Sequence, residues 1–196
     1  MDLSQTDSTL SPLKHSRSEK ILDVGERLFS QQGFRATTME GIAAEVGMSK
    51  VTVYGYFRDK ECLFQAVASR LAGRAKQVVE EALRTDENLS EQIISALIAK
   101  HQLIFDLVRQ SDFASELFEA KDQFASAVFK ETDAEIETLI ASAIEHNGAS
   151  PVQSNAMARL LFGASTGIAN HSQDFSEMTK NIDLLVRGVL QAKGFE

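Results

Sequence analysis

The chain has 196 residues, 43% of them hydrophobic and only two of them proline, enough to bury the core of one large or two small domains. Its net charge of −8 excludes a protein that binds nucleic acid through a broadly basic surface, so any DNA contact has to be local. The first 64 residues carry 8 Lys and Arg against 9 Asp and Glu, and the remaining 132 carry 12 against 19, which places the acidic load away from the N-terminal part.

Sustained period-2 alternation is lacking and helical periodicity dominates, so the expected class is all-α. Residues 1–15 are polar and rich in Ser and Thr, without the apolar segment of a secretory signal, and read as a disordered arm. Lys14, His15 and Arg17 at its end are candidate backbone contacts. A first helix is expected from about Ser18 to Gln32, with Ile21, Leu22, Val24, Leu28 and Phe29 as its buried stripe and Gly33 as its stop.

The stretch Thr37–Phe57 carries the strongest signal. Thr38 is a good N-cap, and Ile42, Ala43 and Val46 follow on one helical face. Gly47 sits where a helix ends in a left-handed residue. Ser49 is the next cap, with Val53, Tyr54 and Phe57 on the apolar side of a short second helix. This order is that of a helix-turn-helix, whose second helix enters the major groove. Lys50, Val51, Thr52 and Tyr56 are left for its outward side, suited to phosphates and base edges. Asp59 caps the helix after it, where Lys60 is placed for a phosphate and Leu63, Phe64 and Val67 start the apolar stripe.

That fourth helix is expected to reach Arg84 and to link a DNA-binding domain, residues 16–64, to a second domain, residues 65–196. The second domain reads as helices from about Ser90 to Arg109, a short helix within SDFASELFEAKDQF, then Gln123 to Glu145, Val152 to His171 and Ser176 to Ala192. Gly148 and Pro151 punctuate the sequence before the penultimate helix.

These residues resemble the DNA-binding domain of TetR-type bacterial transcriptional regulators. Thr38, Ile42, Ala43, Gly47, Ser49, Tyr54, Phe57, Lys60 and Leu63 match the family pattern, and the likeness covers about residues 17 to 67. The resemblance implies an all-α architecture: an N-terminal three-helix domain and a larger helical domain that binds a ligand and dimerises. It implies DNA contacts from Thr38, Lys50, Thr52, Tyr54, Tyr56 and Lys60. Val51 stands where a Gly or a polar reader is common, and a methyl-bearing side chain there can meet a thymine methyl. Gly55, inside the reading helix, is a departure, because Gly there costs about 1 kcal/mol relative to Ala.

A lone helix-turn-helix reads few base pairs, so pairing across a two-fold axis and a palindromic operator are expected. Gly163 and Gly167 let a partner helix approach, and Leu184, Leu185 and Val189 supply an apolar stripe; this is the expected homodimer face. By resemblance the middle of the chain surrounds a cavity, with His101, Phe105, Phe113, Phe118, Phe124, Met157 and Phe162 as its candidate lining and a small apolar or aromatic effector as its occupant. For any one of these Phe residues, plain core is the commoner role.

Cys62 alone excludes an intrachain disulfide and a cysteine-rich zinc site and fits a reducing cytoplasm. The histidines show no metal spacing, and no nucleophile elbow, phosphate loop or useful carboxylate pair is present, so neither metal, cofactor nor enzymatic activity is expected. No apolar run spans a membrane. The expected function is a dimeric repressor released from its operator by a small molecule. The alternative is a DNA-binding regulator or activator controlled by a protein partner, with no small ligand.

Overall fold

The computed structural model describes residues 7–108 and 112–194, which form nine helices and no strand. They are α1 (Asp7–Ala36), α2 (Met39–Val46), α3 (Lys50–Tyr56), α4 (Lys60–Ala82), α5 (Leu89–Val108), α6 (Ala114–Phe124), α7 (Ser126–His146), α8 (Pro151–His171) and α9 (Phe175–Gln191). None among the described residues is long and apolar enough to cross a membrane.

The first helix differs from expectation at its start. Residues 7–15, read from sequence as part of an arm, are helical, while residues 1–6 of that arm lie outside the described residues. Once a helix is nucleated and packed, extending it adds one hydrogen bond per residue ordered, so a polar stretch can follow a packed one. The expected stop holds: Gly33, at φ 82° and ψ 169°, breaks the helical path in a backbone region that only glycine adopts freely.

The remaining boundaries follow local chemistry. Asp59 Oδ1 accepts from the Cys62 amide at 2.7 Å to start α4, and Asn88 Oδ1 accepts from Glu91 at 3.0 Å to start α5. Ser150 and Gln153 form a reciprocal capping box around Pro151 at the start of α8. Asp174 caps α9, accepting from the Glu177 amide at 2.8 Å.

The chain divides into two packing units, and the boundary is not the single cut near residue 64 that the sequence suggests. The first unit is residues 1–70 together with 110–126; the second is 71–109 with 127–196. The crossing points fall within α4 and on either side of α6. The reason is aromatic. In the first unit Phe29, Phe34 and Phe64 contact one another with ring centroids 5.2–5.8 Å apart, and Phe124 of α6 adds a fourth ring 5.2 Å from Phe34. Polar contacts fix the same helix: Gln65 Nε2 donates to the Phe124 carbonyl at 2.6 Å, Arg35 pairs with Glu119 at 2.9 Å, and the Arg35 amide donates to Glu116. A side chain at Gly33 would lie 2.9 Å from Phe113, so the same glycine that ends α1 makes room for the start of α6. Arg70 of α4 holds α1 through Asp23 and Glu26 at 2.6 Å and Glu19 at 3.3 Å. Burial works against its charge, but the hydrogen bonds it donates to Glu26 and Asp23 raise its pKa above the ordinary value.

The second unit has an aliphatic core. Ile93, Leu97, Ile136, Ile140, Ile144, Leu161, Ile182 and Leu190 are fully buried, drawn from α5, α7, α8 and α9. Salt bridges brace its surface: Lys76 with Glu135 at 2.8 Å, and Arg187 with Glu91 at 2.5 Å and Asp183 at 2.9 Å.

Candidate nucleic-acid interface

Two short helices and three caps build the reading head. Thr38 accepts from the Gly41 amide at 3.0 Å and starts α2, which buries Met39, Ile42 and Ala43. Gly47 closes α2 at φ 70°, its amide and that of Met48 reaching back to the Ala44 and Ala43 carbonyls. Ser49 then starts α3, accepting from the Thr52 amide at 3.1 Å, and its hydroxyl lies 2.8 Å from the Thr52 hydroxyl. Val53 is fully buried and fastens α3 to the unit. Each of these interactions spans only a few residues, which is why this segment reads so directly from sequence.

With Val53 inside, α3 turns a defined face outward. Lys50 is exposed and pairs with Glu40 at 3.3 Å; the Glu40 backbone amide, then Lys50, hold the Glu40 carboxyl below its ordinary range. Val51 is 83% exposed, an isolated apolar side chain in water on a helix that is otherwise polar outside. Tyr54 is also on the outer side, at 44% exposure, rather than on the apolar side where its spacing with Val53 suggests. Thr52 and Tyr56 are half-buried. Gly55 is exposed in ordinary helical geometry, and a side chain there would touch nothing within 4 Å, so no packing requirement of the fold demands glycine.

Lys60 behaves differently from the other candidates. Its Nζ donates to the Phe34 carbonyl at 2.8 Å and lies 4.3 Å from the centre of the Phe34 ring. The side chain is thus a clamp between the start of α4 and the end of α1, and could reach a phosphate only by adding to or leaving these partners. Next to it, Asp59 is drawn down to about 2 by hydrogen bonds from Cys62 and by Arg58, and Asp59 in turn raises the Cys62 thiol, which makes that cysteine a weak nucleophile.

The candidate ligand residues are divided between the two units. Phe113, Phe118 and Phe124 belong to the first, where Phe124 stacks in the aromatic core and Phe118 is 42% exposed. His101, Phe105, Met157 and Phe162 belong to the second. The resemblance grouped them by their place in the middle of the chain, and position along the chain does not fix which surface each helix packs against. Near those four the second unit buries an unusual polar cluster. His101 Nε2 lies 3.0 Å from the Ser165 hydroxyl; burial, then the neighbouring Lys100 charge, lower the imidazole pKa to about 3. Lys100, itself buried, lies 4.1 Å over the Phe162 ring and 3.6 Å from Asp133. Sequence reasoning singled out His101 but missed Lys100, which only its burial distinguishes.

Of the candidate dimer residues, Leu184 is 72% exposed, Gly163 is exposed, and a side chain at Gly163 or Gly167 would meet nothing within 4 Å. Leu185 and Val189 are half-buried against the core of their own unit.

Residues 21–67 match the family model described as bacterial regulatory proteins, tetR family. The chain is 26% identical over 141 residues to an uncharacterized HTH-type transcriptional regulator, YhgD, of Bacillus subtilis, covering 72% of each chain. It is 35% identical over 65 residues to the HTH-type transcriptional repressor AcnR of Corynebacterium diphtheriae, covering 33% of this chain but only 34% of that one. Its fold is similar to a transcriptional regulator from Cytophaga hutchinsonii, with a TM-score of 0.71 at 22% identity over 89% of this chain and 96% of the other. The capped helix-turn-helix thus coincides with the stretch that matches the tetR family model, and the chain as a whole is similar to HTH-type transcriptional regulators.

Proposed function

We propose that this protein is a dimeric repressor that leaves a palindromic operator when a small apolar or aromatic molecule binds its second unit. The observation that carries the DNA half of this reading is the outward face of α3: Lys50, Val51 and Tyr54 exposed on a helix anchored by Val53 and capped by Ser49. Such a face offers a cation for phosphate, methyls for thymine and hydroxyls for base edges. Thr38, Thr52 and Tyr56 complete the proposed contacts, and Lys60 contributes by holding α4 against α1.

Two features support the remainder. Leu160 and Leu184 are more than half exposed on α8 and α9, and with the open Gly163 and Gly167 they suit close packing against a second copy. Leu185 and Val189 add to that surface only at its edge. The effector site is proposed around His101, Phe105, Met157 and Phe162, where neutral imidazole, hydroxyl and aromatic groups meet within an otherwise aliphatic core. The chain path offers a route for coupling. α6 packs in the first unit, yet the segments on both sides of it, α5 and α7, belong to the second. A ligand that favours one arrangement of α5 and α7 biases α6 and the reading head, and about 1–3 kcal/mol of coupling suffices for a switch.

Selection of binding sites from random-sequence DNA tests the reading. An enriched palindrome, bound by a dimer and released by aromatic or apolar small molecules, is the expected result. A folded dimer that enriches no sequence sinks the DNA half. Release only by a protein, with no small molecule raising the Tm, sinks the effector half.

A further inference from the structure

The first unit's basic residues fall into two groups. Arg27, Arg35, Lys50, Arg58, Arg70 and Lys121 each pair with a carboxylate, and Lys60 is held by carbonyl groups. Lys14, Arg17 and Lys20, exposed on α1, have no ion pair among the described residues, and of these Arg17 and Lys20 lie beside the helix-turn-helix. They stand three residues apart on adjoining sides of one helical turn. They also border a recess of about 430 Å³ whose other wall is residues 46–49 and Thr52, the turn and reading helix of the helix-turn-helix. The carboxylates nearest in sequence to that wall, Glu40 and Glu45, are engaged elsewhere by Lys50 and Arg27.

We propose that this recess seats a backbone phosphate of the bound DNA, clamped by Arg17 and Lys20 beside the turn, so that α1 extends the footprint beyond the bases read by α3. The inference rests on the DNA-binding reading above. Charge complementarity argues for it. In a chain of net charge −8, two cations left without carboxylate partners beside the reading helix attract an anion, and the polyanion brought to that helix is DNA. The Ser49 and Thr52 hydroxyls, already bonded to each other at 2.8 Å, keep that wall polar.

The experiment measures operator affinity across a salt series for the full chain and for the double variant Arg17→Ala, Lys20→Ala. Loss of one phosphate contact lowers the log–log salt slope by about 0.9, so the variant loses about 3.5-fold less affinity than the parent between 50 and 200 mM salt. Base preference in random-site selection stays unchanged, and Arg17→Lys with Lys20→Arg retains the parental slope. Unchanged affinity and slope in the alanine variant overturn the proposal, as does a changed base preference, which would place these side chains on bases. A parent chain that binds no DNA overturns the underlying reading instead, so the two failures are distinguishable.

Discussion

The two units solve the same packing problem with different materials. The first is held by four phenylalanine rings and a shell of paired charges around short helices, and its glycines at positions 33 and 47 are required by backbone geometry. The second is a bundle of long helices around fully buried Ile and Leu, with a polar cluster at Lys100, His101 and Ser165 among them. The second keeps polar groups inside a core that aliphatic side chains would fill at less desolvation cost, and such inclusions mark places where a core does more than pack.

The largest expected effect is in the aliphatic core. Ile140→Ala should destabilise the second unit by about 3–4 kcal/mol, seen as an early transition in urea denaturation. If the units unfold independently, the transition of the first stays in place; a single shifted transition for both would break the contrast. Gly33→Ala should cost the first unit about 2–3 kcal/mol, because alanine meets both a disfavoured backbone region and the Phe113 ring. Its operator affinity should fall with the loss of α6 packing, and undiminished affinity would show that α6 is dispensable to the reading head.

A pH dependence isolates the polar cluster. His101 has a folded pKa of about 3, below its ordinary 6.5, so the unfolded chain binds the extra proton across that interval. The contribution is fully present above pH 6.5 and is lost as pH falls toward 3, at up to about 1.4 kcal/mol per pH unit. His101→Gln should flatten the stability profile between pH 6.5 and 5, with Lys100 and Asp133 unchanged; an identical slope in the variant would assign the dependence to carboxylates. The smallest effects are on the outer face of α3. Val51→Ala and Thr52→Ala should leave Tm within a degree or two while altering base preference in site selection, by about 1–3 kcal/mol at one position. Unaltered preference removes that residue from the readers.

Much of the reading head was available from the sequence. Thr38, Gly47, Ser49 and Asp59 each act within three or four residues of themselves, so cap type, left-handed glycine and helix start are all encoded in adjacent letters. The buried faces of α1 and α2 followed in part from period, as Ile21, Leu22, Phe29, Ile42 and Ala43 show, whereas Val24, Leu28 and Val46, expected on the same faces, are only half-buried at their edges. Orientation at Tyr54 did not, because a seven-residue helix has too few turns to define its faces by spacing.

What the sequence by itself determined is the all-helical class, the capped helix-turn-helix and the family likeness that rests on it. Tertiary structure alone decided that α6 completes the first unit, that Lys60 turns onto Phe34, and that Phe124 parts company with Phe162. The physical reason is the range of the interactions. Caps and helical periods are set by neighbours along the chain, whereas an apolar helix face is compatible with many partners. Which partner it meets depends on the shape and charge of surfaces far away in sequence, such as the cleft that Gly33 leaves for Phe113 and Glu116.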